Sequence, residues 1–179
     1  MMAAALLVGF GSAAGAGPPA PRVTVTSKSG TYEVRGEFTT RAPLATAWEV
    51  LTDYARIPSF VSSMLASDVL SRDGDSVRVQ QTATVGALSF HKTMRVTLAV
   101  HEEPQRRIGF ADLSGQDFSK YVGAWTLRAA HDTTVVAYAL DAAPHANAPR
   151  LLSRNVMSRT TGELLSQVRT EIEKRAARR

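Results

Sequence analysis

The chain has 179 residues, no cysteine, 44% hydrophobic and 21% charged residues, and a formal charge of +5. Those fractions exclude wholesale disorder and a multi-span membrane protein, and the missing cysteine excludes a disulfide framework, a thiolate zinc site and a thiol nucleophile. The length holds one substantial domain, and the basic balance is local: residues 1–147 carry 13 Lys/Arg against 13 Asp/Glu, the last 32 carry 8 against 3.

No charged side chain occurs before Arg22. Ala3 to Phe10 is a short apolar run, and Ser12 to Ala16 supplies small residues with Ala14 and Ala16 in an Ala-x-Ala arrangement. Gly17-Pro-Pro-Ala-Pro21 then breaks any helix. This pattern predicts a secretory signal peptide over 1–16, and hence a periplasmic or secreted mature chain. Gly and Ser interrupt the run, so it falls short of the roughly 20 apolar residues of a membrane span. Residues 17–30 read as a linker.

Thr31 to Thr40 alternates in Tyr32, Val34 and Phe38, which predicts a first strand. Pro43 opens a helix through Trp48 and Leu51, and a second short helix is expected over Ile57–Leu65. Phe60, Val61 and Met64 fall on one side of it. From there the hydrophobic period changes to that of strands. Strands are predicted over Asp68–Ser71 and Ser76–Val85, flanking the hairpin signal Asp73-Gly74-Asp75. More follow over Phe90–Val100, Arg107–Leu113, Tyr121–Ala129 and Thr133–Ala142. Ala143 to Pro149 reads as a linker, and Arg150–Arg179 as one long helix. Met157, Thr161, Leu164, Leu165, Val168 and Ile172 make an apolar stripe along it; Arg150, Arg154 and Gly162 disturb its first half, so the helix either bends near Gly162 or starts beyond the sheet. Short turns between consecutive strands imply antiparallel neighbours, so the expected class is α+β, an antiparallel sheet with helices on one face.

Few residues suggest catalysis. His91 and His101 take the solvent parity of their strand, His131 lies in a turn and His145 in the linker. None has a partner at metal-ligand spacing, so neither a metal nor a cofactor is expected. The polar residues at interior parity are Gln81, Asp112 and Tyr138. Asp112 and Tyr138 are the candidates for a proton-transfer pair. The alternative for Asp112 is a strand-end carboxylate beside the Ser114-Gly115 turn, and Glu102-Glu103 reads as the end of a strand. Phe60, Met64, Phe90, Met94, Phe110, Trp125 and Tyr138 come from separate elements yet share the interior parity. Together they make an ordinary core, or, under a curved sheet closed by one helix, the lining of a small-molecule cavity. The cationic C-terminal segment suits an anionic membrane surface or plain solvent. Nucleic acid is disfavoured, because the Lys and Arg residues lack interleaved aromatics.

Four motifs carry a family likeness: Pro43-x-x-x-x-Trp48-x-x-Leu51-x-Asp53-Tyr54-x-x-x-Pro58-x-Phe60-Val61, then Gly86-x-Leu88-Ser89-Phe90, Gly115-x-Asp117-Phe118 and Gly123-x-Trp125-x-Leu127. In this order the sequence resembles the START-like superfamily, in its polyketide cyclase/dehydrase and coenzyme-Q-binding branch, over about residues 31–175. The resemblance implies a helix-grip fold: a curved antiparallel sheet of about seven strands, two short helices and a long C-terminal helix around a hydrophobic cavity. Residues 176–179 are then a basic tail. The implied partner is an apolar small molecule or lipid, lined by Phe60, Met64, Phe90, Met94, Phe110, Trp125, Tyr138, Leu152 and Met157. Binding or carriage is the expected role, and a cyclase/dehydratase reaction on a polyketide-like substrate is the alternative.

Overall fold

A computed structural model describes residues 19–87, 90–145 and 153–179. The expected signal peptide, most of the linker before the last helix, and the first residues assigned to that helix lie outside them. Strands β1 (Arg22–Lys28) and β2 (Thr31–Thr40) lead into α1 (Leu44–Thr52) and a short 3-10 helix (Tyr54–Ser59). Then come β3 (Met64–Asp73), β4 (Ser76–Ala87), β5 (Phe90–Glu103), β6 (Arg107–Asp112), β7 (Phe118–Ala130), β8 (Thr133–Pro144) and α2 (Arg154–Ala176). The eight strands form one antiparallel sheet in the order β1-β2-β8-β7-β6-β5-β4-β3. This is the helix-grip fold, with one strand more than the sequence suggested.

The extra strand corrects the linker assigned to 17–30. Arg22 to Lys28 pairs with β2 across a Ser29-Gly30 turn, in which both residues take positive φ. Val23 and Val25 alternate with polar neighbours and pack against the core. That short β-branched alternation was hidden between proline-rich sequence and a turn. The helix expected over Ile57–Leu65 is likewise replaced by the 3-10 helix and the start of β3. Pro58 sits inside this segment, and only single-turn hydrogen bonds form, such as Val61 N–H to Ile57 O at 2.9 Å. Phe60 and Met64 still pack against the core.

α2 runs without a break through Gly162 and lies against β1, β2 and α1. Ser153 caps its start by accepting from Val156 N–H. Met157, Thr161, Leu165, Val168 and Ile172 are buried along it, as the stripe predicts, and Leu164 is partly buried. The helix reaches the sheet closely because β2 has no side chain at Gly36. A Cβ built there would lie 2.5 Å from Leu165 Cδ1. Charged groups pin the rest of α2. Arg175 donates to Asp53 at 2.9 Å and to Glu171 at 2.8 Å, while Arg169 donates to Glu173 at 2.9 Å and to the Pro19 carbonyl at 2.6 Å. Two of the eight cationic residues counted at the C-terminus are therefore internal braces and do not form part of a free charged face.

Candidate functional site

The inner face of the sheet, α1, the 3-10 helix and α2 enclose a cavity with two adjoining lobes. The first, about 120 Å³, lies under α1 and the 3-10 helix, between Tyr54, Phe60, Phe110 and Trp125. The second, about 150 Å³, extends toward the start of α2 between Met94, Phe118 and Met157. Val61, Met64, Gln81, Tyr121, Tyr138 and Leu164 line both. No Asp, Glu, Lys, Arg or His lines either lobe among the described residues. A larger trough of about 580 Å³ crosses the outer face of the sheet beside Arg78, His101 and Arg107, but it is open to solvent. The inner cavity, less open than the trough and lined mostly by apolar side chains, is the candidate site.

Its walls differ. Strands β6, β7 and β8 supply rings: Trp125 and Tyr138 centroids are 4.6 Å apart, Phe118 and Tyr121 4.8 Å, and Phe110 stacks on Tyr138 at 6.2 Å and 23°. Facing them are flexible and branched side chains, Met64, Val79, Met94, Leu98 and Leu164. Gly123 makes the ring wall possible. It pairs with Phe110 across β6 and β7, and a Cβ there would lie 2.6 Å from Phe110 Cζ and collide with the Ala139 carbonyl. Burial drives the Tyr138 phenol well above its ordinary pKa, and Tyr121 also rises, because water is excluded from both.

Of the nine residues assigned to ligand contact, Phe60, Met64, Met94, Phe110, Trp125, Tyr138 and Met157 line the cavity. The Phe90 side chain and Leu152 lie outside the described residues. The proposed proton-transfer pair does not come together. Asp112 accepts from Thr97 N–H and Ser114 N–H at 2.9 Å, from Gly115 N–H at 3.0 Å, and from the Ser114 hydroxyl. Its oxygens are spent on the backbone of β5 and on the β6–β7 turn, and it is absent from the cavity lining.

A buried polar brace at the rim of the first lobe has no counterpart among the sequence expectations. Tyr54 donates to Glu102 Oε1 at 2.7 Å, and Arg72 grips both Glu102 oxygens at 2.9 and 3.1 Å. Glu102 is only 7% exposed, not an ordinary strand-end acid. Burial first, and donation to Glu102 second, push the Tyr54 phenol far above its ordinary pKa. Midway along α2, Gln167 bonds Ser62 twice, accepting from its N–H at 3.1 Å and donating to its hydroxyl at 2.8 Å. This clasp joins α2 to the segment between the 3-10 helix and β3. Tyr54 belongs to the first quoted motif, but partners 48 and 105 residues apart cannot be read from local pattern.

The sequence profile described as polyketide cyclase/dehydrase and lipid transport matches residues 40–169. No curated protein matches the chain at a significant level. Among solved structures, TTHA0849 from Thermus thermophilus superposes with a TM-score of 0.70 at 20% identity, covering 80% of this chain and 99% of that one. The Zhui aromatase/cyclase from Streptomyces sp. R1128 has a TM-score of 0.70 at 19% identity, covering 81% and 95%. A STAR-related lipid transfer protein from Xanthomonas axonopodis has a TM-score of 0.65 at 16% identity, covering 84% and 98%. At these identities the structures are similar in fold.

Proposed function

Because the chain belongs to the polyketide cyclase/dehydrase and lipid transport family, we propose that it is an exported protein that binds or carries a hydrophobic, lipid-like small molecule between the sheet and α2. The observation that carries this reading is the lining of the two lobes: apolar, aromatic and methionine side chains with a few hydroxyls and one amide, and no charged group among the described residues. Such a lining supplies transfer free energy, about 25 cal/mol per Å² of apolar surface, but few groups able to move protons near neutral pH. A lipid transfer protein and an aromatase/cyclase share the fold, and the lining favours carriage over reaction.

Export rests on the leader-like composition of residues 1–16. The exposed Arg154, Lys174 and Arg178 of the C-terminal segment suit a transient visit to an anionic membrane, where cargo would be exchanged. Native mass spectrometry of protein purified from its own host tests the binding reading. It should reveal an apolar adduct at one per chain, lost on solvent extraction. An adduct-free chain that also fails to take up added apolar compounds would overturn it. N-terminal sequencing of the exported fraction should begin at Gly17, and a cell-retained, full-length chain would refute export.

A further inference from the structure

The sheet has a second face, turned away from α2, and the middle of that face is bare. Strand register sets its side chains in three lanes across the strands. Arg78 leads to Ala99, Ala111 and Val122. His101 leads to Gly109, Ala124 and Ala139, and Arg107 leads to Thr126 and Ala137. The solvated face of an antiparallel sheet ordinarily alternates to polar side chains. Here β5 to β8 place only small residues at the centre, and Val122 is 40% exposed. The result is a recess. The trough of about 580 Å³ runs on through concavities of about 380 and 390 Å³, with Arg107, Thr126 and Ala137 as shared borders.

Its rim is cationic. Arg22, Arg35, Arg78, Arg106, Arg107 and Arg128 border the trough, against Asp73 and Glu37. Residues 1–147 carry 13 Lys/Arg and 13 Asp/Glu, so the excess on this face comes from one-sided placement. Asp141 holds Arg35 at 3.0 Å. Glu103 stands off from Arg106 and Arg107 at 3.5 and 3.7 Å, and Glu37 from Arg128 at 4.0 Å. Arg22 and Arg78 have no ion pair among the described residues. Arg107 is placed by the floor itself. A Cβ at Gly109 would lie 2.7 Å from Arg107 Nη1, so the glycine lets the guanidinium lie against the sheet inside the trough. A guanidinium held there presents paired N–H donors that match a carboxylate.

Charge and shape together select the occupant. A second copy docked face to face would bring arginine against arginine. A bilayer would rest on the rim, leave the recess empty and meet the side of the sheet opposite the cavity. Single-stranded nucleic acid stacks on aromatic side chains, and no Phe, Tyr or Trp stands in the three lanes. A peptide segment bearing carboxylates and small apolar side chains meets both the rim and the floor. The lanes span four residues along a strand, about 13 Å, which is room for one helix or strand. We propose that this trough is a docking surface for an acidic segment of another protein, independent of what the cavity holds.

Fluorescence anisotropy at low salt with two labelled peptides tests the proposal, one of repeated Glu-Ala-Glu-Leu and one of repeated Gln-Ala-Gln-Leu. The Glu peptide should bind and the Gln peptide should not. Arg78→Gln/Arg107→Gln/Arg128→Gln should weaken Glu-peptide binding about tenfold, the combined loss of three exposed ion pairs. Arg154→Gln/Lys174→Gln/Arg178→Gln, which removes as much charge from the C-terminal segment, should leave it unchanged. Ala111→Gln fills the floor without altering charge and should weaken binding severalfold. Thermal melting checks that each variant folds, and if the trough-arginine variant does not, the peptide pair and Ala111→Gln decide. Failure of the Glu peptide to bind, equal binding of both peptides, full affinity in the folded trough-arginine variant, loss in the C-terminal variant instead, or indifference to Ala111→Gln would each overturn the assignment. Phosphatidylglycerol vesicles that bind through the same three arginines while the peptide does not would overturn it in favour of a membrane.

Discussion

The seat of α2 on the sheet makes a prediction whose sign depends on background. Replacing Gly36 with Ala inserts a methyl group 2.5 Å from Leu165 Cδ1, and Leu165 is fully buried. Overpacking of this kind costs about 1–3 kcal/mol. Ala restricts the unfolded chain more than Gly, which returns about 0.5–1 kcal/mol in a strand. The expected net loss for Gly36→Ala is therefore on the order of 1–2 kcal/mol. Leu165→Ala alone should cost about 2–5 kcal/mol, since it empties a fully enclosed position. In that background the clashing atoms are gone, and the next neighbour of a Cβ at Gly36 is the Arg22 carbonyl at 3.6 Å, an ordinary contact. Gly36→Ala should then stabilise, by about 0.5–1 kcal/mol. Urea unfolding of the four proteins, followed by circular dichroism, reads out this cycle directly. The same sign of the Gly36→Ala effect in both backgrounds would refute the close seating of α2 on β2.

Three further outcomes follow from named contacts. Gly123→Ala should destabilise more severely than Gly36→Ala, because one clashing group is the Ala139 backbone carbonyl; equal melting temperatures for the two variants would contradict this. Tyr54→Phe should cost about 1.5–3 kcal/mol, the range for a hydrogen bond to a charged group, and a melting temperature equal to wild type would show the brace on Glu102 to be idle. Burial would raise Asp117 and Glu171, but Lys92 with the Arg95 N–H, and Arg175 with Lys174, outweigh it and hold both carboxylates below their ordinary values. The folded chain then binds these protons less readily than the unfolded chain, so the contribution is full above the unfolded carboxylate value, about pH 4, and is lost as pH falls through the lower folded values. Melting temperature against pH should fall on the acid side, and Lys92→Met should flatten that limb; an unchanged limb would contradict the role given to Lys92.

Parity and stripe were legible in the sequence wherever one face of an element meets the core. Met94, Val96, Leu98 and Val100 are buried in alternation on β5, His101 faces solvent, and the α2 stripe from Met157 to Ile172 lies inward. Contacts between distant polar residues were not legible. Glu102 beside a turn looks like any exposed acid until Tyr54 and Arg72 close on it, and Arg175 looks like tail charge until Asp53 comes within 2.9 Å. β1 escaped for a different reason, since two valines among threonines make a short alternation and its partial burial comes from β2 and α2, both distant from any local pattern. Interior parity named the aromatic set, but whether such a set fills a core or lines a void depends on sheet curvature and on Gly36 and Gly123, which no hydrophobic pattern encodes.

The full chain has five methionines, two of them at its start, and the other three, Met64, Met94 and Met157, all line the cavity. Methyl NMR of protein labelled at methionine therefore reports on the cavity from three positions at once. Titration with 2-acetylnaphthalene should shift the Met64, Met94 and Met157 methyl signals together, saturating at one probe per chain. Binding that leaves these three signals unmoved would contradict the claim that the cavity under α2 is where this protein holds its ligand.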